Sequence, residues 1–264
     1  MKSLDLNSAT LELKKLDERF KNLKKIQNVF LHCYYDNLDT SNLFSDLTSN
    51  KTTDFSRYSY FYASYAASSG KIERAKNIVQ SALKIYPRNL LLNQKNIDLN
   101  DAKNLNIFNC KKENHVIAEI LYITANALSS QSIYVLSNLY LNLAKYLNKD
   151  FHSFDTLLAE NFYKIDNLDK AKKTYANLNK RGEAYKWYST NQLAGILIKE
   201  KKKNKAIQLV SDAYKNLTNK GTYETFDFAE FLKNNERFEE SISYYTQIIK
   251  NIKKNHPLYS KIMD

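Results

Sequence analysis

Five alanines, each standing twelve residues ahead of another small residue, constrain this chain more than any other feature. The small residues that follow them are Ala75, Ser137, Ala171, Ala206 and Ser241, spaced 137 − 75 = 62, 171 − 137 = 34, 206 − 171 = 35 and 241 − 206 = 35. Twelve positions earlier stand Ala63, Ala125, Ala159, Ala194 and Ala229. Four positions later the residues are large and apolar: Val79, Leu141, Tyr175, Val210 and Tyr245. Seven positions later come Ala82, Ala144, Leu178, Ala213 and Ile248. Two antiparallel helices joined by a tight turn approach closely only where a small side chain sits at the crossing, and a larger residue one turn on fills the groove beside it. The register therefore predicts a recurring hairpin, in which helix A carries the alanine and helix B the second small residue. Such hairpins expose an apolar face that the next one covers, so they stack.

The rest of the composition agrees with an all-helical chain. Among 264 residues there are four glycines and two prolines, too few for the many turns of a sandwich or barrel. One glycine, Gly70, falls between the two small residues of the first hairpin, where it relaxes the turn, and Pro87 lies where helix B should stop. The stretch 90–117 holds no matching pair and reads as a degenerate hairpin or a loop. Residues 1–55 read as irregular helices, and 48–56 as an inter-helix loop. The N-terminus lacks the apolar core of a signal peptide, and no run of about eighteen apolar residues is present to span a membrane. These features lead to the expectation of a soluble, cytoplasmic chain.

The period and the Ala63–Gly70–Ala75–Ala82–Pro87 series resemble the tetratricopeptide repeat (TPR) family. Matching units run over about 56–89, 118–151, 152–185, 187–220 and 222–255, within an array covering 56–264. The later units depart from the pattern: none keeps the terminal proline, serine replaces alanine at 137 and 241, and Leu178 and Ile248 are bulky. The resemblance implies a right-handed superhelical solenoid of antiparallel helix pairs. The last residues, "NHPLYSKIMD", begin a further helix A, which suggests a fragment of a longer bacterial protein of this kind.

The same resemblance implies a binding role. In the family, helix A builds a concave inner wall. Carried over residue by residue, its positions are Arg57, Tyr60 and Ser64; Glu119, Tyr122 and Asn126; Ser153, Thr156, Glu160 and Tyr163; Tyr188, Asn191 and Gln192; and Tyr223, Phe226, Glu230 and Lys233. Tyrosine gives wide contact area at low entropy cost, and asparagine and glutamine can hold a peptide backbone by two hydrogen bonds. The Lys and Asn combination with which some members grip a terminal carboxylate is missing from these positions. A protein or peptide partner is expected.

Charge and chemistry leave two other readings open. The net charge is +12, which suits either a nucleic-acid surface or the lysine-rich usage of an AT-rich genome. Lysine runs at 199–205 and 250–256 fall at a hairpin turn and after the last helix B; phosphate contacts there would be salt-sensitive. A basic nucleic-acid-binding repeat is the first alternative, and a structural spacer within a longer chain the second. No phosphate loop, HExxH or GxSxG motif is present, and the four histidines are scattered. A non-catalytic chain without metal or cofactor is expected. Cys33 and Cys110 lack metal-site spacing and read as buried small hydrophobes in place of a disulfide.

Overall fold

The ten small residues of the register are all buried. In a computed structural model describing residues 5–50, 52–103 and 107–263, nine of the ten are fully shielded and Ser241 is 2% exposed. Where serine replaces alanine, its hydroxyl is satisfied within the crossing. Ser137 Oγ donates to the Ala125 carbonyl at 2.7 Å, and Ser241 Oγ donates to the Ala229 carbonyl at 2.9 Å. Serine adds one polar atom to a space that admits nothing larger, and the helix A carbonyl supplies its partner.

The described residues form fifteen α-helices and no strand. The chain divides into two compact units, 1–167 and 168–264. The first contains α1 (Leu6–Lys14), a 3-10 turn (Glu18–Phe20), α2 (Lys21–Tyr34), α3 (Thr40–Thr48), α4 (Ser56–Ser68), α5 (Ile72–Ile85), α6 (Leu90–Asn100), α7 (Glu113–Ser130), α8 (Tyr134–Leu147) and α9 (Ser153–Lys164). The second contains α10 (Leu168–Leu178), α11 (Glu183–Lys199), α12 (Lys203–Lys215), α13 (Thr222–Asn234), α14 (Phe238–Asn251) and α15 (Pro257–Met263). Within each unit, helices pack mainly on their neighbours in the chain, and α4–α5, α7–α8, α11–α12 and α13–α14 are close pairs.

The turns repeat as strictly as the crossings. Gly70, Ser132, Asp166, Lys201 and Glu236 each stand five residues before a helix B small residue, and all have positive φ, from 59° to 76°. The amide after each one bonds back five residues, as Lys71 does to Ala66 and Lys202 to Leu197, and its own amide bonds back three. This is the Schellman closure of a helix C-terminus. Four of the five sites lack glycine, so the packed hairpin imposes a backbone that the local sequence does not favour.

Two stretches depart from the register. Among the described residues between α5 and α7 there is one helix, α6, and 107–112 has no helical structure, so the described residues hold no helix B after α6. The stretch instead sends Phe108 into an aromatic core, 4.2 Å from Phe61 and 5.4 Å from Phe30 between ring centroids. Cys110 is bonded to Cys33 of α2, with Cα atoms 5.9 Å apart. The expectation of two unpaired buried cysteines is thus corrected. Both are buried, but the irregular segment brings them together across 77 residues. The N-terminal helices share this core with the repeat region, as the Phe44 ring of α3 stacks on Tyr62 of α4 at 5.4 Å. At the other end, Leu258 of α15 covers Phe226 and Ile248. No helix of the described residues is long and apolar enough to cross a membrane.

Candidate functional site

One position of the expected wall lies eighteen residues before the small residue of helix B. At that position stand Arg57 (75 − 57 = 18), Glu119 (137 − 119 = 18) and Ser153 (171 − 153 = 18), on α4, α7 and α9. The fold joins all three. Arg57 Nε donates to Glu119 Oε1 at 2.7 Å and Nη2 donates to Oε2 at 2.7 Å, a two-pronged pair. Its remaining nitrogen, Nη1, donates to Ser153 Oγ at 2.5 Å. The guanidinium carbon lies over the Tyr122 ring, 3.7 Å from its centroid, with the Phe151 centroid at 5.1 Å. Tyr58 donates from its hydroxyl to Glu119 Oε1 at 3.4 Å.

Burial penalises both charges, and their pairing offsets that penalty. Desolvation pushes the Glu119 carboxyl above its usual range, and Arg57 pulls it back. Desolvation weakens the Arg57 cation, and the Glu119 carboxylate more than offsets that loss. Each of the three guanidinium nitrogens makes one hydrogen bond, so the cluster is a fixed floor. The Tyr122 ring packs between this cluster and Phe154, whose centroid is 5.7 Å away. Burial raises the pKa of the Tyr122 hydroxyl, and neighbouring Glu160 on α9 adds to the rise.

Around this floor the first unit presents Asn126, exposed one turn beyond Tyr122, with Thr156, Glu160 and Tyr163 half-buried on α9. Tyr60 is differently placed: it is 3% exposed, stacked on Phe151 at 5.6 Å, with the Lys95 ammonium 5.6 Å from its ring. It is a core residue because α4 is covered by α3, α5 and α6 together. Ser64, one turn further along, is also buried and its hydroxyl has no hydrogen-bond partner.

In the second unit, Tyr188, Asn191, Gln192 and Tyr223 are half-buried. Tyr188 meets Tyr175 edge-on at 6.1 Å, and Asn191 Nδ2 donates to the Trp187 carbonyl of its own helix at 2.9 Å. Phe226 is core, enclosed by Ile248 and Leu258. Glu230 accepts the Tyr245 hydroxyl and lies 3.7 Å from Lys233 Nζ. Lys233 is exposed, with its ammonium 5.9 Å from the Tyr245 ring.

The lysine run at 199–205 is partly neutralised. Glu200 accepts from Lys172 at 2.7 Å and from Lys202 at 2.6 Å, and Glu236 pairs with Lys203 at 2.5 Å. Sequence reasoning did not single out Trp187, which lines a cavity of about 350 Å³ with Asn179, Gly182, Glu183, Asn216 and Leu217. The chain's single tryptophan was the available signal.

No family model matches the chain, and no curated protein matches it. Among solved structures it is similar to one described as a human IFIT1 dimer with m7Gppp-AAAA, at 13% identity and a TM-score of 0.32. The match covers 93% of this chain and 62% of that one, so the chain spans less than two thirds of the length of the protein it resembles.

Proposed function

We propose that the chain is a TPR-like interaction module, without catalysis, that holds a peptide or protein segment against the helix A face of its first unit. Its repeat units would be those of the sequence register, from 56–89 to 222–255. One observation carries the binding assignment: the Tyr122 ring packs against a guanidinium that Glu119 and Ser153 hold in place. A ring fixed before binding loses little entropy when a ligand lies on it. Asn126, Thr156, Glu160 and Tyr163 surround it with amide, hydroxyl, carboxylate and aromatic groups suited to a peptide backbone and a neutral or basic side chain. None of the wall positions assigned to this unit is a lysine, and a carboxylate at Glu160 opposes a phosphate backbone. That contrast favours peptide over nucleic acid.

The test is selection of a random peptide library on the immobilised protein, followed by anisotropy titration of the enriched peptides. Asn126→Ala combined with Tyr163→Ala should weaken binding by about tenfold or more while leaving the circular dichroism unchanged. Tyr122 is left intact because its ring supports Arg57. Equal affinity in the variant, or enrichment only of salt-sensitive RNA ligands in a parallel selection, overturns the assignment.

A further inference from the structure

Helix α8 buries one side and leaves the other bare. Ser137, Asn138, Leu141 and Ala144 are enclosed, and Ser137 and Asn138 both accept from Asn161 Nδ2 of α9, at 2.8 and 2.9 Å. On the opposite side Val135 is 74% exposed, Leu136 42%, Leu139 55%, Leu143 46% and Tyr146 78%. Large apolar residues are exposed elsewhere too, as at Leu38, Ile85 and Ile242, but α8 gathers five on one side. Charge is missing around it: from Ile120 to Ala144 there are 25 residues without a charged side chain, in a sequence that is 26% charged. At that average about six charges would fall in the stretch. On ordinary side-chain areas, the five bare residues expose about 500 Å² of mostly apolar surface, as large as the biggest patch on a typical monomer.

The spacing of the bare residues says what shape of partner fits. Leu136, Leu139, Leu143 and Tyr146 are separated by three, four and three residues. That is the a–d–a–d seam of a coiled coil across two heptads, and it reads the same in both directions. Turned end over end about residue 141, the seam sets Leu136 against Tyr146 and Leu139 against Leu143 of an identical helix (136 + 146 = 139 + 143 = 282). The flanking positions of the seam, Ile133, Val135, Tyr140, Asn142 and Leu147, carry no charge that would select a different partner by attraction. Two copies each bearing +12 also repel one another, and a face without charge is where they can approach closely.

We propose that α8 is a homodimerisation surface, pairing antiparallel with α8 of a second copy about a two-fold axis near Leu141. The pair would bury about 1,000 Å², the lower bound for a specific interface, so the dimer is a weak and concentration-dependent one. This does not rest on the peptide-binding face, which belongs to helices α7 and α9.

Sedimentation velocity on the full chain from about 1 to about 100 µM tests it. The expected result is a monomer–dimer equilibrium that added salt does not weaken, since screening removes repulsion and leaves the apolar seam intact. Leu139→Glu and, separately, Leu143→Glu should each raise the dissociation constant by about 100-fold or more, because each substitution enters a two-fold interface twice. Both side chains are exposed in the single copy, so thermal unfolding at low concentration should not change. A monomer throughout the range, a dimer indifferent to both substitutions, or a dimer dispersed by salt overturns the proposal.

Discussion

The hairpin turns offer a reciprocal pair of substitutions with opposite signs. Gly70 has φ +76°, and a Cβ added there would meet no atom within 4 Å. Gly70→Ala therefore introduces no clash, and its cost is conformational alone. A left-handed backbone costs an L-residue about 1–2 kcal/mol, and the stiffer unfolded chain of alanine returns about 0.5–1 kcal/mol. The net loss is about 1 kcal/mol. Ser132 occupies the same turn position one hairpin later in the same unit, with φ 63°. Its side chain accepts one exposed hydrogen bond, from the Tyr134 hydroxyl at 3.2 Å. Ser132→Gly should stabilise by somewhat less than about 1 kcal/mol, because the strain relief is opposed by chain entropy and loss of that weak bond. With a urea dependence of about 2 kcal/mol per molar, the midpoints move by about 0.5 M or less, down for the first variant and up for the second. Equilibrium urea unfolding followed by circular dichroism reads both. If Gly70→Ala leaves the midpoint in place, or if both variants shift it the same way, the left-handed turns are not what closes these hairpins.

The remaining predictions concern the charged cluster, the disulfide and the salt links. Arg57→Met strands the Glu119 carboxylate without its partner and should cost about 3–5 kcal/mol, whereas Arg57→Met with Glu119→Leu should recover most of that; additive losses in a denaturation cycle would contradict the paired floor. Joining residues 77 apart removes about 4.5 kcal/mol of loop-closure entropy from the unfolded chain, so Cys33→Ala with Cys110→Ala should lower the thermal midpoint strongly. Alkylation of denatured, unreduced protein taken directly from cells should find neither thiol free. That result would place the chain in an oxidising compartment and end the cytoplasmic expectation; two free thiols would remove the disulfide. Lys172 and then Lys202 hold the Glu200 carboxyl down at about 2, below its ordinary 4.5. Between those values the unfolded chain binds the extra proton, so the contribution is complete above about pH 4.5 and lost as pH falls toward 2. Glu200→Gln should flatten stability against pH in that window, and an unchanged slope in pH-resolved urea titrations would refute the link.

How much was legible in the sequence depended on whether a physical constraint acted at fixed spacing. The crossing alanines were readable because close helix approach excludes larger side chains at one position per hairpin, and Ala63, Ala125, Ala159, Ala194 and Ala229 are all fully enclosed. Helix B also begins three residues before its small residue in each of the five hairpins, as at Ile72 and Leu168. The turns were readable only at Gly70, since Ser132, Asp166, Lys201 and Glu236 take the same backbone without the residue that signals it. The stretch 107–112 was illegible because Phe108 and Cys110 are placed by contacts with α2 and α4, far away in sequence.

For the candidate face, the wall positions named Arg57, Glu119, Tyr122 and Ser153, and the fold does join them. The sequence did not say that they would satisfy one another. A clue was present, since Arg57 and Glu119 are opposite charges at one register position on two A helices. Tyr60 and Phe226 occupy wall positions too, yet α6 and α15 enclose them, and nothing local to either residue announces a covering helix.

The three-way grip of Arg57 has a consequence for the kind of ligand that would suit this surface. Its guanidinium ties α4, α7 and α9 at a single point, so a slide of any one of them breaks charge-assisted hydrogen bonds in a largely buried place. The three helices are therefore expected to behave as one stiff template, unable to remould themselves around different visitors. Adaptation would fall to the visitor, which favours pliable, extended segments over folded domains of fixed outline and makes residue spacing along the segment the property that is selected.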